Sequence, residues 1–205
     1  MKTLVSIIAI CILSSCKDFA LQLNNDTKDS VNSIENNSVI KSESPKPVID
    51  ETVINVEPTL VRPQLFLMMQ DCAEDLKTLH EKQKVIYNNL DYILKKYNLQ
   101  PMGEPIAWHY RKSNLFVVEA GIPLVKKLTK KEDGTFYKQT TRGKAVVAHF
   151  FGKRSLLPRA YDSLNVWLKE NHQSAIGNPW EVYVSDPRVM KEHDFLQTDV
   201  YSQAK

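Results

Sequence analysis

From Leu76 onward the apolar positions step by threes and fours. They run Leu76, Leu79, Ile86, Leu90, Ile93 or Leu94, and Tyr97, with Gln83 as the one polar break. A 3.6-residue period stacks such positions on one face, so the pattern predicts an amphipathic helix over about Ala73–Tyr97. Asp71 is placed to cap it, with Glu74 three residues on. Ahead of it "LVRPQLFLMMQ" (60–70) reads as a strand whose start Pro63 confines to an edge or a bend. "EPIAWHYR" (104–111) and "NLFVVEAGIPL" (114–124) read as two strands joined at Lys112-Ser113. "TKKEDGTFYKQTTRG" (129–143) is a polar loop or exposed hairpin, and "KAVVAHFFG" (144–152) another strand. A second helix is expected from Ser155 through Leu157, Ala160, Tyr161, Leu164 and Leu168. "PWEVYVSDP" (179–187) and "DFLQTDVYSQ" (194–203) supply two last strands.

The resulting order, βαββ, loop, βαββ, contains itself twice. A shift of 74 residues lays "YNNLDYILKKYNLQPMGEPIAWHY" (87–110) over "YDSLNVWLKENHQSAIGNPWEVYV" (161–184) without a gap. Tyr87 falls on Tyr161, Leu90 on Leu164, Leu94 on Leu168, and Gly103-Glu104-Pro105 on Gly177-Asn178-Pro179. Glycine lets the chain turn out of the helix, and proline opens a strand where its missing N–H does no harm. The chain is read as an internal duplication of the α+β class: two βαββ units forming a pseudo-twofold antiparallel sheet with two helices.

The first sixteen residues, "MKTLVSIIAICILSSC", have a different character. Lys2 precedes an apolar run from Leu4 to Leu13 that is too short for a permanent membrane span but fits a secretory leader. Leu13-Ser14-Ser15-Cys16 resembles the bacterial lipobox, which implies a signal peptide over 1–15, cleavage before Cys16 and lipidation of that thiol. Residues 16–58 are rich in Asn, Ser, Asp and Lys and show no sustained period. Such a composition buries too little surface to offset its ordering entropy, so it is read as a flexible tether reaching roughly 30–40 Å. Residues 17–58 hold four lysines against eight carboxylates, which leaves a scattered excess of +6 from Thr59 on within a net charge of +3. Dispersed lysines of this kind fit solvated faces rather than a nucleic-acid surface. Cys11 lies in the leader, and Cys16 and Cys72 form no disulfide framework. Cys72 is read as a structural thiol. No Cys/His cluster points to a metal.

"VVEAGIPL" (117–124), "AHFFG" (148–152), "GNPWEVYVSDP" (177–187) and "FLQTDVY" (195–201), in this order, resemble the GyrI-like effector-binding domain family over residues 59–205. The resemblance implies SHS2-like halves, both helices on one side of the sheet, and a ligand cleft near the pseudo-axis. It also implies a cleft glutamate in the Trp-Glu-x-Tyr stretch, which here is Glu181. Its members bind amphipathic, often cationic compounds, and some hydrolyse reactive ligands with the same acid.

Strand alternation places Glu181 and Tyr183 on one face, opposite Trp180, Val182 and Val184. The duplication sets Ala107 and His109 at the equivalent positions. Glu181, Tyr183, His109, Ala107, Glu119, Phe150 and Trp108 are therefore the candidate ligand-binding residues. Glu181 and Tyr183 would be catalytic if the protein is an enzyme. Trp108, Tyr110 and Trp180 are also open to the plainer reading of packing under the helices. A carboxylate among rings attracts an organic cation, and without one burial should raise its pKa. The expectation is a membrane-anchored binding protein of the bacterial cell envelope, tethered through lipid on Cys16. It takes a small amphipathic, possibly cationic ligand, with no cofactor, no metal and no nucleic acid. The alternatives are a hydrolase using Glu181 and a haem-binding SOUL-like protein with His109 or His149 as ligand.

Overall fold

The computed structural model describes residues 52–189, 191 and 194–205. The leader, Cys16 and the tether up to residue 51 lie outside the described residues. The elements are β1 Val53–Val61, β2 Leu65–Ala73, α1 Leu76–Lys96, β3 Ile106–Lys112, β4 Leu115–Leu124 and β5 Thr135–Gln139. They continue with β6 Gly143–Lys153, α2 Pro158–Glu170, β7 Ala175–Tyr183 and β8 Phe195–Ala204. All eight strands form one antiparallel sheet in the order β1-β6-β8-β7-β3-β4-β2-β5. The α+β architecture with two helices and a pseudo-twofold sheet is the one the duplication implies.

The axis runs between β3 and β7. A 74-residue shift carries Ala107 onto Glu181, and these two residues face each other across the β3–β7 pairing. The pair therefore maps onto itself. The repeat persists in backbone detail. Both helices end in caps at equivalent positions, Tyr97 and Asn171. Each is followed by a left-handed residue, Asn98 with φ 49° and His172 with φ 53°.

Two strands were not resolved by the periodicity. β1 takes in residues 53–58, which the sequence reading assigned to the tether, and Pro63 sits in the link after it rather than inside one long strand. β5 emerges from the stretch read as a polar loop. Each pairs with the opposite half, β1 with β6 and β5 with β2. β1 and β2 stand six strand spacings apart, roughly 29 Å in a flat sheet. The link at 62–64 reaches only about 14 Å. The sheet must therefore curl, and its ends are tied where the two links meet. Gln64 N–H donates to Thr140 Oγ1 at 2.9 Å, Thr140 N–H to Gln64 O at 3.0 Å, and Thr140 Oγ1–H to Arg62 O at 2.9 Å.

α1 begins at Leu76 because Asp71 and Cys72 are still paired in the β2–β4 ladder, opposite Val118 and Val117. Asp75 takes over as cap, its carboxylate accepting from Thr78 N–H at 2.8 Å. α2 follows a 3₁₀ turn at Arg154–Leu156 and opens on Pro158. Both helices cover one face of the sheet over two cores. Leu79, Ile86, Leu90 and Leu94 meet Leu67, Val118, Ala120 and Ile122 under α1. Ala160, Leu164 and Leu168 meet Val146, Ala148, Phe150 and Val200 under α2. The helix-free face curls around a third core of Phe66, Met68, Ile106, Trp108 and Trp180, with Val61 and Tyr201 against it. Trp108 and Trp180 thus pack on the side away from the helices, correcting the plainer reading that put them beneath. Trp180 stacks on Tyr201 at 5.5 Å and lies 5.9 Å from Trp108.

Candidate functional site

Register fixes where the carboxylate falls. One row crosses the helix-covered face of the sheet: Val56, Ala148, Val200, Glu181, Ala107, Ala120, Met69. Glu181 is the only charged member of that row, and small residues flank it on both sides. It is 4 % exposed. A buried carboxylate is costly unless donors surround it. Here Tyr161 of α2 donates its hydroxyl to Oε1 at 2.6 Å, and Tyr183, two residues along β7, donates to Oε2. His109 Nδ1 lies 3.4 Å from Oε1, close enough for ionic attraction but without hydrogen-bond alignment.

A second ring of contacts fixes these donors. Gln83, buried on α1, donates Nε2–H to Tyr183 Oη at 2.8 Å and offers Oε1 to His109 Nε2 at 3.3 Å. Tyr87 turns its hydroxyl to the Ile106 carbonyl at 3.0 Å, and its ring meets that of Tyr183 edge-on. The duplication explains the cast. Tyr87 and Tyr161 are equivalent, as are His109 and Tyr183, His80 and Arg154, Gln83 and Leu157. A twofold shell becomes one-sided because Ala107 replaces the acid in one half and Leu157 replaces the amide in the other.

Electrostatics follow from this cage. Burial opposes ionisation of Glu181. The charge of His109 beside Oε1, the charge of Arg154 and the Tyr161 hydroxyl outweigh it, so the carboxyl is held well below its usual range. The expectation of a raised pKa is therefore reversed: the donors around the oxygens win over desolvation. Burial first, then the Glu181 charge, pushes the hydroxyls of Tyr161 and Tyr183 up, so both stay protonated donors. His80 is pushed down to about 4 by burial and by the charges of Arg154 and His109, so its ring is neutral at pH 7.

Above the cage lies a cavity of about 650 Å³ between α1, the 3₁₀ turn, the start of α2 and the β3–β7 junction. His80, Gln83, His109, Tyr161 and Glu181 give it a polar floor, and Leu79, Phe116, Leu157 and Leu196 give it apolar walls. A hollow of about 1080 Å³ lies at the seam of the curled sheet, beside Leu60, Arg62, Arg142 and Lys144. No carboxylate or aromatic ring borders it among the described residues, so convergent chemistry sits in the first cavity.

Of the residues singled out from sequence, Glu181, Tyr183 and His109 come together. Ala107 faces Glu181 inside the core, and its small side chain makes room for the carboxylate. Phe150 belongs to the core under α2 and is not among the cavity walls. Trp108 and Glu119 lie on the opposite, helix-free face. There Glu119 accepts from Tyr110 at 2.9 Å and from Lys138 at 2.6 Å, and the Lys138 ammonium sits 3.7 Å from the Trp108 ring centre. His149 is on that face too, between Asp199 at 2.8 Å and Glu57 at 3.5 Å. Cys72 is a half-buried free thiol in β2. Sequence reasoning missed Tyr161, Gln83, His80 and Arg154 as site residues. Gln83 had signalled itself as the polar break in an apolar stripe, and the 74-residue shift links Tyr161 and Arg154 to Tyr87 and His80.

No protein-family profile matches the chain, and no curated protein matches it. Solved structures do. The C-terminal domain of EcmrR matches with a TM-score of 0.61 at 14 % identity, over 75 % of this chain and 98 % of that domain. EcmrR in its DNA complex matches with the same score over 74 % of this chain, which spans 57 % of the length of that protein. A hydrolase from Listeria innocua matches with a TM-score of 0.53 at 12 % identity, over 73 % and 91 % of the two chains. At these identities the likeness is one of fold.

Proposed function

We propose that the domain is a binding module for small amphipathic molecules, of the GyrI-like effector-binding type. A lipid on Cys16 holds it at a membrane of the bacterial envelope. One observation carries the binding part: an ionised, buried carboxylate, caged by two tyrosine hydroxyls and a histidine, floors a cavity of about 650 Å³ with apolar walls. That combination orients a ligand's polar end while its apolar body excludes water. The likeness to the EcmrR C-terminal domain supports this reading at the level of fold.

The geometry favours binding over the two alternatives. A hydrolytic acid needs a proton to give, and Glu181 holds none at neutral pH. A hydrolytic base needs a free oxygen facing water, and both oxygens already accept from tyrosines. An axial haem ligand needs a ring nitrogen that a haem iron can approach past the side chains around it. His149 is held between two carboxylates, and His109 between Glu181 and Gln83.

The test is thermal unfolding of the full chain against a panel of aromatic amphiphiles. A ligand at a hundred times its Kd stabilises by about 2.7 kcal/mol, which raises Tm by several degrees. Glu181→Gln is expected to remove most of the shift. A panel that leaves Tm unchanged, or a shift untouched by the substitution, overturns the assignment. Incorporation of radiolabelled palmitate, lost in Cys16→Ala, tests the anchor.

A further inference from the structure

The cavity walls carry more positive than negative charge. Five cationic side chains border the cavity, Lys77, Lys84, Arg111, Arg154 and Lys191, against the carboxylates of Glu81 and Glu181. Lys84 is paired with Glu81 at 3.0 Å. Glu181 has its oxygens on Tyr161 and Tyr183, with His109 beside them. Arg111 sits over the Phe116 ring, its guanidinium carbon 4.2 Å from the ring centre, with no ion pair among the described residues.

Arg154 differs from the others in depth. It stands in the 3₁₀ turn at the cavity wall, with its guanidinium carbon 6.0 Å from the Tyr183 ring centre. Its Nε is buried without a hydrogen-bond partner, and it forms no salt bridge to Glu181 or to any other described carboxylate. A half-buried guanidinium whose Nε donor is buried and open is an incomplete site, because its fork matches a planar or tetrahedral anion. Its pseudo-twofold equivalent, His80, is neutral at pH 7, so the matching position on α1 carries no second fixed charge.

From this we infer that the cavity takes an amphipathic anion, its carboxylate, sulfonate or phosphate-ester head on Arg154 and its apolar body along Leu79, Phe116, Leu157 and Leu196. Glu181 is then an internal counter-charge that organises His109, Tyr161 and Tyr183. It acts on the ligand through those side chains, so its loss disorders the site without removing the head-group contact. An organic cation would have to displace donors already on Glu181 and sit among four cations, Lys77, Arg111, Arg154 and Lys191, that have no carboxylate partner among the described residues. The inference rests on the binding reading above and assigns the ligand's charge.

The test uses two probes with one ring system and opposite charge: naphthalene-2-sulfonate and the trimethylammonium derivative of 2-naphthylamine. Each is titrated into the full chain by calorimetry in a mild non-ionic detergent. The sulfonate is expected to bind at least about tenfold more tightly. Arg154→Gln is expected to weaken it about ten- to a hundredfold, the range of a charged hydrogen bond, and to leave the cation unaffected or improved. Arg154→Lys keeps the charge without the fork and recovers part of the loss. Thermal unfolding of each variant without probe identifies a folding defect. Tighter binding of the cation overturns the charge assignment and leaves the binding module standing. Failure of both probes to bind wild type overturns both. Sulfonate binding that Arg154→Gln does not weaken removes Arg154 as the head-group site.

Discussion

Glu181→Gln tests the electrostatics of the cage directly. At neutral pH the substitution replaces an acceptor of two tyrosine hydroxyls by an amide that accepts through one oxygen and turns an NH₂ group to the other hydroxyl. A hydrogen bond to a charged group is worth about 1.5–3 kcal/mol, partly offset here because a buried charge is removed, so a net loss of roughly 1–3 kcal/mol is expected. Acidification separates this account from a merely steric one. The folded carboxyl ionises well below its usual range, so on lowering the pH the unfolded chain takes up the proton first. Its stabilisation is complete above the unfolded pKa, about 4.3, and shrinks below it by about 1.4 kcal/mol per pH unit. The gap between wild type and Glu181→Gln should therefore be constant from pH 7 to 5 and narrow by roughly 1 kcal/mol at pH 3.5. Urea unfolding followed by tryptophan fluorescence at each pH measures it. Other perturbed carboxyls, such as Asp71 and Asp186, titrate in both proteins and cancel. A flat gap down to pH 3.5 would refute the claim that the cage holds the group ionised. A gap that widens on acidification would mean that burial has raised the pKa after all.

Tyr161→Phe removes the donor at 2.6 Å from Oε1 and is expected to cost about 1–3 kcal/mol by urea unfolding, with less narrowing lost on acidification than in Glu181→Gln. Gly121→Ala would set a methyl 2.0 Å from Met68 Sδ and 2.8 Å from the Leu67 carbonyl oxygen, so overpacking of about 1–3 kcal/mol or more is expected. Gly177→Ala meets no atom within 4 Å, and its cost comes from φ +70° alone, about 1 kcal/mol. If melting curves place Gly177→Ala as the more damaging of the two, the packing argument for the β2–β4 pairing fails.

Much of this was legible in the chain because it depends on short periods. Alternation put Glu181 opposite Trp180, and the 74-residue repeat put His109 beside Tyr183. What stayed hidden is decided over long range. Nothing local in "TVINVEPTLV" or "TFYKQ" says that each will pair with the opposite half, because edge pairing is fixed by the curl of the whole sheet. The Asp71 cap failed for the same kind of reason, since a ladder to β4 held that residue extended. The side taken by Trp108 depended on which face the helices chose, and alternation alone does not choose. The ionisation of Glu181 depended on His109, Arg154 and Tyr161, brought to it from a strand, a turn and a helix, which together outweigh desolvation.

The self-mapping pair at the centre of the sheet has an evolutionary corollary. Were the two halves separate identical subunits, whichever residue stood at that spot would confront its own copy. Two acids there would repel, and one would have to stay protonated. Two alanines would leave no anion at all. Joining the copies in a single polypeptide lifts that constraint, since one copy can keep the acid while the other shrinks to a methyl. Fusion is thus what permits a lone negative charge on a symmetry axis.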